Sequence, residues 1–214
     1  MGFLDIINSV LRRLREEEVA SINESEYSTL IGDFVNASKR EIENSWDWSA
    51  LRNTLTVETT DGLFNWVLTN AGTRFKVLDV YNATSPNWME LRSTEWMDKN
   101  FGMVGTVARG APAYYAFNGV TSTGDAQVDV YPIPDGAYTL RFNIVQRQYD
   151  LVEPTDKPLI PYQLIIEGTT ARAIAERGED GGSNTQEVRF RNLLADYISL
   201  EAARKPYETI WSAV

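Results

Sequence analysis

The chain has 214 residues, of which 43% are hydrophobic, and a formal net charge of −10 from 20 basic and 30 acidic side chains. This length and composition suit a folded protein with a large core rather than a disordered chain. The sequence contains no cysteine and no histidine. Their absence excludes disulfides, thiolate metal sites, cysteine nucleophiles and the usual general base at neutral pH.

The acidic charge is concentrated towards the two ends of the chain. Residues 1–50 and 151–214 together carry eight of the ten net negative charges. Such a chain repels phosphate backbones, so sequence-specific nucleic-acid binding is not expected. No apolar run approaches the roughly 20 residues that span a bilayer, and residues 3–10 are too short and too amphipathic for a signal peptide. We therefore expect a soluble protein that is made inside the cell.

Two amphipathic helices open the chain. Over residues 3–17 the apolar positions recur at three- and four-residue spacing, which indicates one buried helical stripe. A second helix is predicted to begin near Asn23 as the N-cap, with Glu26 three residues later, and to end near Asn44. Both stripes are typical of core packing.

The hydrophobic period changes from about 3.6 to 2 after Trp46-Asp47-Trp48. Alternating apolar residues then mark three short strands, around residues 55–57, 64–68 and 75–77. Because short turns join these segments, the sequence predicts a meander. Residues 83–112 are irregular, with at most one short helix near residues 93–100, and long irregular segments of this kind often bind partners.

The clearest local pattern runs from Tyr131 to Phe142, with the sequence Tyr-Pro-Ile-Pro-Asp-Gly-Ala-Tyr-Thr-Leu-Arg-Phe. Alternating strands lie on both sides of it. Pro132 and Pro134 cannot donate to a strand ladder, and Asp135-Gly136 favours a tight turn. The pattern predicts a β-hairpin with one apolar and one polar face.

The helical period returns after a segment with three prolines, residues 151–161. Pro161 is predicted to be the first residue of a helix that ends near Arg177, and Gly178 suits a left-handed C-cap. Small residues on this helix predict the close approach of another helix: Gly168, Ala171 and Ala175. A last helix is predicted from Ser183, in a capping box with Gln186, to Pro206.

These elements predict an α+β fold. Residues 1–50 and 151–205 are expected to form a helical layer or bundle, and residues 51–150 an inserted antiparallel β-sheet or sandwich. Residues 206–214 are left as a C-terminal tail. The tail either folds back on its own domain or enters a groove of a partner.

No residue pattern indicates catalysis, a cofactor or a metal. The carboxylates at 16–18 and at 179–180 are typical of solvated charge runs. Asp125, Asp129 and Asp135 lack calcium-loop spacing and are expected in turns or facing outward from strands. We therefore expect no enzyme activity. Most aromatic side chains occupy alternating strand positions, where large rings fill a core.

The ordered motifs resemble the head-to-tail adaptor proteins of short-tailed bacteriophages, including tail tubular and gatekeeper-like proteins. The resemblance rests on the 131–142 motif, on Asp150-Leu151-Val152, and on the Pro158-to-Pro161 segment that enters a helix ending at residues 176–180. It also takes in the N-terminal helix pair and Trp46-Asp47-Trp48 before a strand. The likeness therefore covers most of the chain.

The resemblance implies a structural virion protein at the head–tail interface, synthesised in the bacterial cytoplasm. Such adaptors form a twelve-membered ring that joins the portal protein to the tail nozzle protein. Double-stranded DNA passes through the ring without sequence-specific binding, which agrees with the acidic charge. Other neck or tail-completion ring proteins, and a carbohydrate-binding β-domain, are the alternatives.

The resemblance also suggests two sets of contact residues. The C-terminal tail is expected to bind the portal through Tyr207, Ile210 and Trp211. The irregular segment is expected to contact the nozzle or a neighbouring subunit through Trp88, Trp96, Phe101 and Met103.

Overall fold

The computed structural model describes residues 1–72, 74–178 and 180–204. The described residues form α-helices towards both ends of the chain and two β-sheets between them, which confirms the α+β class. The chain divides into two compact units. Residues 1–51 and the chain from residue 148 onward make up the helical unit, and residues 52–147 make up the sheet unit.

Five α-helices occur in the described residues: α1 (Phe3–Arg13), α2 (Glu26–Ser45), α3 (Thr94–Gly102), α4 (Tyr162–Glu176) and α5 (Asp180–Ala202). In the helical unit α4 packs against α1, α2 and α5. Its apolar residues are therefore buried on several sides, as expected for a central helix. The predicted close approach is confirmed, because a Cβ atom added at Gly168 would lie 3.1 Å from the Phe190 ring on α5.

Two predicted helix starts are wrong. The N-cap of α2 is Ser25 rather than Asn23: Ser25 and Ser28 form the capping box, and each hydroxyl accepts a hydrogen bond from the other's backbone N–H at 3.0 Å. Helix α5 already begins at Asp180, so position 183 lies inside the helix and not at its start.

The remaining helix boundaries follow local chemistry. Helix α4 begins at Tyr162 with Pro161 as its N-cap, one residue after the predicted start. The left-handed C-cap is confirmed, because Gly178 has a φ of +71°. Helix α1 ends at Arg13, earlier than predicted, and the chain turns at Arg15 with a φ of 61°.

In the described residues of the sheet unit, eight strands form two four-stranded sheets. The strands are β1 (Arg52–Glu58), β2 (Asn65–Leu68), β3 (Phe75–Asn82), β4 (Asn87–Trp88), β5 (Glu90–Leu91), β6 (Tyr114–Val120), β7 (Ala126–Tyr131) and β8 (Thr139–Gln146). The first sheet has the order β1-β8-β3-β4 and the second the order β2-β7-β6-β5. All neighbours are antiparallel except the parallel pair β5 and β6.

The sequence located six of the eight strands but predicted the wrong partners. Strands β4 and β5 lie in the segment that was expected to be irregular. The meander is wrong, because β1 and β3 both pair with β8 while β2 belongs to the other sheet. The hairpin is also wrong, because β7 and β8 lie in different sheets and the Pro132–Pro134 segment connects the sheets. Alternation specifies which face of a strand is buried, and two facing sheets bury the same faces that a hairpin would.

The core of the sheet unit lies between the two sheets. Its buried members come from strands of both sheets and include Leu68, Val80, Val128, Leu140 and Phe142. Predicted core aromatics also belong here, with Tyr115 buried and Trp66 and Tyr138 partly buried against the cluster. The sheet unit is therefore a β-sandwich, with its core between the two sheets.

Candidate interaction surfaces

Helix α3 lies on the outer face of the second sheet. Ser93 caps it by accepting a hydrogen bond from the Trp96 backbone N–H at 3.2 Å. The Trp96 ring contacts Tyr114 and Tyr131 at centroid distances of 5.0 and 5.3 Å. Phe101 contacts Tyr131 at 5.5 Å. Trp96 and Phe101, both assigned to a partner contact by the sequence, are half-buried here and attach α3 to the sheet.

Trp88 and Met103 lie in more open positions. Trp88 is 65% exposed and leans on Tyr81 of the neighbouring strand, with ring centroids 5.2 Å apart. Met103, directly after α3, is 81% exposed. The structure thus brings Trp96 and Phe101 together around Tyr131 and leaves Trp88 and Met103 available for contacts.

The edge that carries Trp88 has a second apolar residue that the sequence did not single out. Leu91 on β5 is 60% exposed. Its neighbours Glu90 and Arg92 form an ion pair at 2.6 Å, and the Arg92 guanidinium lies 4.9 Å from the Tyr114 ring centroid. Leu91 was missed because residues 83–112 have no regular period. We call Trp88 and Leu91 the β4/β5 side.

The opposite edge of the second sheet also exposes apolar residues. Leu63, Phe64 and Val67, at and just before β2, are each more than a third exposed. Phe64 also contacts Phe101 of α3, with ring centroids 4.6 Å apart. We call these three residues the β2 side. The sequence placed Phe64 and Val67 in a predicted strand, did not assign Leu63, and gave no sign that these residues lie at an edge.

In the helical unit, side chains hold residues 148–161 in place, and we call this stretch the return segment. Asn36 on α2 donates to the Leu151 carbonyl at 3.0 Å and accepts from the Leu151 N–H at 2.8 Å. The fully buried Lys39 ammonium donates to the carbonyls of Gln148 and Tyr149 at 2.8 and 3.0 Å. These bonds replace the strand partners that the segment lacks.

Two further side chains stabilise the segment from within. The Gln148 side-chain amide donates a hydrogen bond to the Lys157 carbonyl at 2.8 Å and accepts one from the Leu159 N–H at 3.0 Å. The Asp156 carboxylate accepts the N–H groups of Val152 and Glu153 at 2.8 Å each. These two hydrogen bonds lower the pKa of Asp156 below its ordinary value, because they favour the charged form.

Large apolar side chains are exposed on this segment among polar ones, although its backbone is firmly held. Four side chains are exposed on it or directly after it: Tyr149, Val152, Leu159 and Tyr162. Exposed aromatic and aliphatic residues on an ordered backbone are typical of interaction surfaces, since little conformational entropy is lost on binding. We call these four residues the return-segment face.

A groove of about 720 Å³ is lined by residues of α1, α4 and α5. Glu167 at its floor is almost completely buried and pairs with Arg13 at 2.9 Å and Arg189 at 3.6 Å. Elsewhere in the helical unit, the Arg177 guanidinium donates a hydrogen bond to the Tyr27 hydroxyl at 2.8 Å and forms an ion pair with Glu16 at 2.6 Å. Burial raises the pKa of the Tyr27 phenol, which Arg177 partly opposes. These charges stabilise the helical packing.

The two units differ strongly in charge. Residues 52–147 contain eight basic and nine acidic side chains, which gives the sheet unit a formal charge of −1. The helical unit therefore carries −9 of the total of −10. Asp129 lies between the core residues Val128 and Val130 on β7, on the face directed away from the core, as predicted. It is nevertheless only 9% exposed and accepts hydrogen bonds from Asn65 and Asn118.

The predicted portal contacts Tyr207, Ile210 and Trp211 lie outside the described residues. Within the described ranges no cluster of three or more His, Cys, Asp or Glu side chains is arranged to hold a metal ion. No helix of that same part combines the length and the apolarity needed to cross a membrane.

Groups of exposed apolar residues on both units are typical of a protein that contacts other macromolecules. No curated protein matches the chain. A family model described as SU10 adaptor protein matches residues 1–210, so the chain belongs to the SU10 adaptor protein family. This match confirms the resemblance to phage head-to-tail adaptors. Membership makes the chain a phage adaptor and virion component that associates with other neck proteins, in a structural family that is typically non-enzymatic.

Proposed function

We propose that the protein is a connector ring that joins the portal to the tail nozzle around the DNA channel. The observation that carries this proposal is the family match over residues 1–210. A connector needs separate contacts for the portal, the nozzle and neighbouring copies, and the chain offers several distinct apolar faces. It has no catalytic role in this function.

The acidic charge supports a channel through which DNA moves. A formal charge of −9 on the helical unit repels phosphate groups, so duplex DNA passes without being held. The same charge favours a basic docking surface on one of the protein partners. The ring is a dodecamer, which is the state that the family resemblance implies.

The direct experiment is electron microscopy of the protein mixed with particles that carry the portal but no adaptor. A ring of twelve copies beneath the portal is the expected result. Particles that remain bare would overturn the proposal. Recovery of the protein on a different neck component would instead favour another tail-completion role.

The C-terminal tail is proposed to dock on the portal through Tyr207, Ile210 and Trp211. A chain that ends at residue 205 should keep its circular dichroism spectrum and fail to bind portal particles. A matched control replaces Lys205 and Glu208 by Ala and keeps the three apolar side chains. Normal portal binding by the shortened chain would exclude the tail as the portal contact.

The irregular segment at residues 83–112 is proposed to contact the nozzle or a neighbouring subunit. Trp88 and Met103 are the exposed members of the predicted set, so they are the residues that a partner reaches first. Trp96 and Phe101 support the contact by fixing α3 on the sheet.

A further inference from the structure

We infer that neighbouring copies in the ring contact each other through opposite sides of the sandwich, the β4/β5 side of one copy against the β2 side of the next. This inference rests on the ring in the proposed function. The partner of Trp88 is then a second copy of the chain rather than the nozzle.

The topology places the two sides at opposite edges of one sheet. In the order β2-β7-β6-β5, strand β2 forms one edge and β5 the other, about 15 Å away at ordinary strand spacing. Strand β4, which carries Trp88, is one of the two edge strands of the first sheet and directly precedes β5 in the chain. A contact between different patches of identical subunits is heterologous, which is the kind that closes a ring.

The exposed apolar residues are concentrated on these two sides. Nine large apolar side chains are exposed in the described part of the sheet unit, and five of them lie on the two sides. They are Leu63, Phe64 and Val67 on the β2 side, and Trp88 and Leu91 on the β4/β5 side. An aromatic anchor opposite a group of smaller apolar residues is typical of a protein interface.

Charge favours a second copy as the occupant. The sheet unit has a formal charge of −1, so two sheet units approach each other with little repulsion. The helical unit has −9, so contacts between two helical units are opposed. Self-association is therefore directed to the sheet unit, and the helical unit is left for a partner of different charge.

Five side chains provide less area than the roughly 800 Å² per partner of a stable protein complex. One such contact holds two copies weakly. Ring closure and binding to the portal supply the remaining stabilisation, so the contact forms stably in the assembled particle.

Cysteine cross-linking tests the contact directly, because the chain has no cysteine of its own. The double variant Val67→Cys with Leu91→Cys is assembled on portal particles and treated with a short bis-maleimide. The expected result is a ladder of cross-linked species from the double variant and none from either single variant. Val120→Cys with Leu91→Cys is the control, since Val120 is exposed but lies on β6, inside the sheet.

Each alternative outcome has a definite meaning. Rings that are visible by microscopy but give no ladder would overturn the inference and leave the proposed function intact. Dimers from Leu91→Cys alone would show an isologous contact and also overturn it. If the unmodified protein forms no ring on the portal, the proposed function fails, and this inference fails with it.

A second measurement separates the neighbour from the nozzle. Trp88→Ser with Leu91→Ser should reduce the fraction of particles that carry a ring by about tenfold or more, as when an aromatic anchor is removed from an interface. Val120→Ser is the matched control, because Val120 and Trp88 are both 65% exposed. Intact rings that no longer bind the nozzle would assign the β4/β5 side to the nozzle and refute the inference.

Discussion

Replacing Lys39 by Met should strongly destabilise the helical unit. The fully buried Lys39 ammonium donates hydrogen bonds to the carbonyls of Gln148 and Tyr149 and forms an ion pair with the buried Glu43 carboxylate at 3.1 Å. Met has a similar length but no donor. In the variant two carbonyls lose this donor and the buried Glu43 carboxylate loses this cation. Breaking a buried ion pair costs about 3–5 kcal/mol.

The adjacent residue provides a matched control. Arg40 also links α2 to the return segment, through an ion pair with Asp150 at 2.9 Å, but both side chains are nearly half exposed. An exposed pair contributes about 0–1 kcal/mol. Arg40→Met should therefore have a small effect, although it removes a charge from the next position of the same helix.

Urea unfolding followed by far-ultraviolet circular dichroism measures both effects, since most helical residues belong to the helical unit. With a slope of about 1–3 kcal/mol per molar urea, Lys39→Met should lower the midpoint by at least about 1 M. Arg40→Met should lower it by a small fraction of that. Equal shifts for the two variants would show that the buried ammonium has no special role and would refute the reasoning.

Three other substitutions test local features of the helical unit. Gly168→Leu should destabilise the unit by about 1–3 kcal/mol, because the new side chain meets the Phe190 ring. Gly32→Ala should be neutral or stabilising by up to about 1 kcal/mol, because its Cβ atom would lie 3.4 Å from its nearest neighbour. Urea midpoints of the two variants that move in the same direction would contradict this expectation. Asp156→Asn should reduce stability at neutral pH. The lowered pKa of Asp156 means that its contribution is present above the unfolded-state pKa and is lost as the pH falls through the folded-state value, so the two proteins should converge in acid, and a difference that stays constant with pH would be evidence against the assignment.

The helices and strands were predictable because their signals are local. The period of 3.6 marked α1, α2 and α4 within a few residues at most ends, and the period of 2 marked β1, β2 and β3. Small residues along α4 even indicated the approach of α5. These patterns depend on which face each element buries, and that is written in neighbouring residues.

Strand pairing was not predictable in the same way. The motif from Tyr131 to Phe142 has every local feature of a hairpin, yet its two strands join different sheets. Alternation determines a buried face, and both arrangements bury that face equally. The choice depends on contacts between residues far apart in the chain, such as the pairing of Leu55 with Phe142.

The candidate contact residues were partly predictable. Aromatic side chains in a segment without a period drew attention to Trp88, which is exposed, and to Trp96, which serves mainly to hold α3. Leu91 carried no such signal. The ordered backbone of the return segment was also not predictable, because it depends on hydrogen bonds between Asn36 and Leu151, which are 115 positions apart in the chain.

Salt should strengthen self-association of the free protein. The helical units of two copies repel each other through formal charges of −9, and this repulsion opposes the apolar contact between sheet units. Raising sodium chloride from about 0.1 M to about 1 M shortens the Debye length from about 10 Å to about 3 Å, which screens the repulsion. The apolar contact itself is not weakened by this screening.

Sedimentation velocity at several protein concentrations measures the effect. The weight-average sedimentation coefficient should rise with salt for the unmodified protein and for Val120→Ser, and should rise much less for Trp88→Ser with Leu91→Ser. A coefficient that falls as salt is added would show that attraction between charges, rather than contact between apolar edges, brings the copies together.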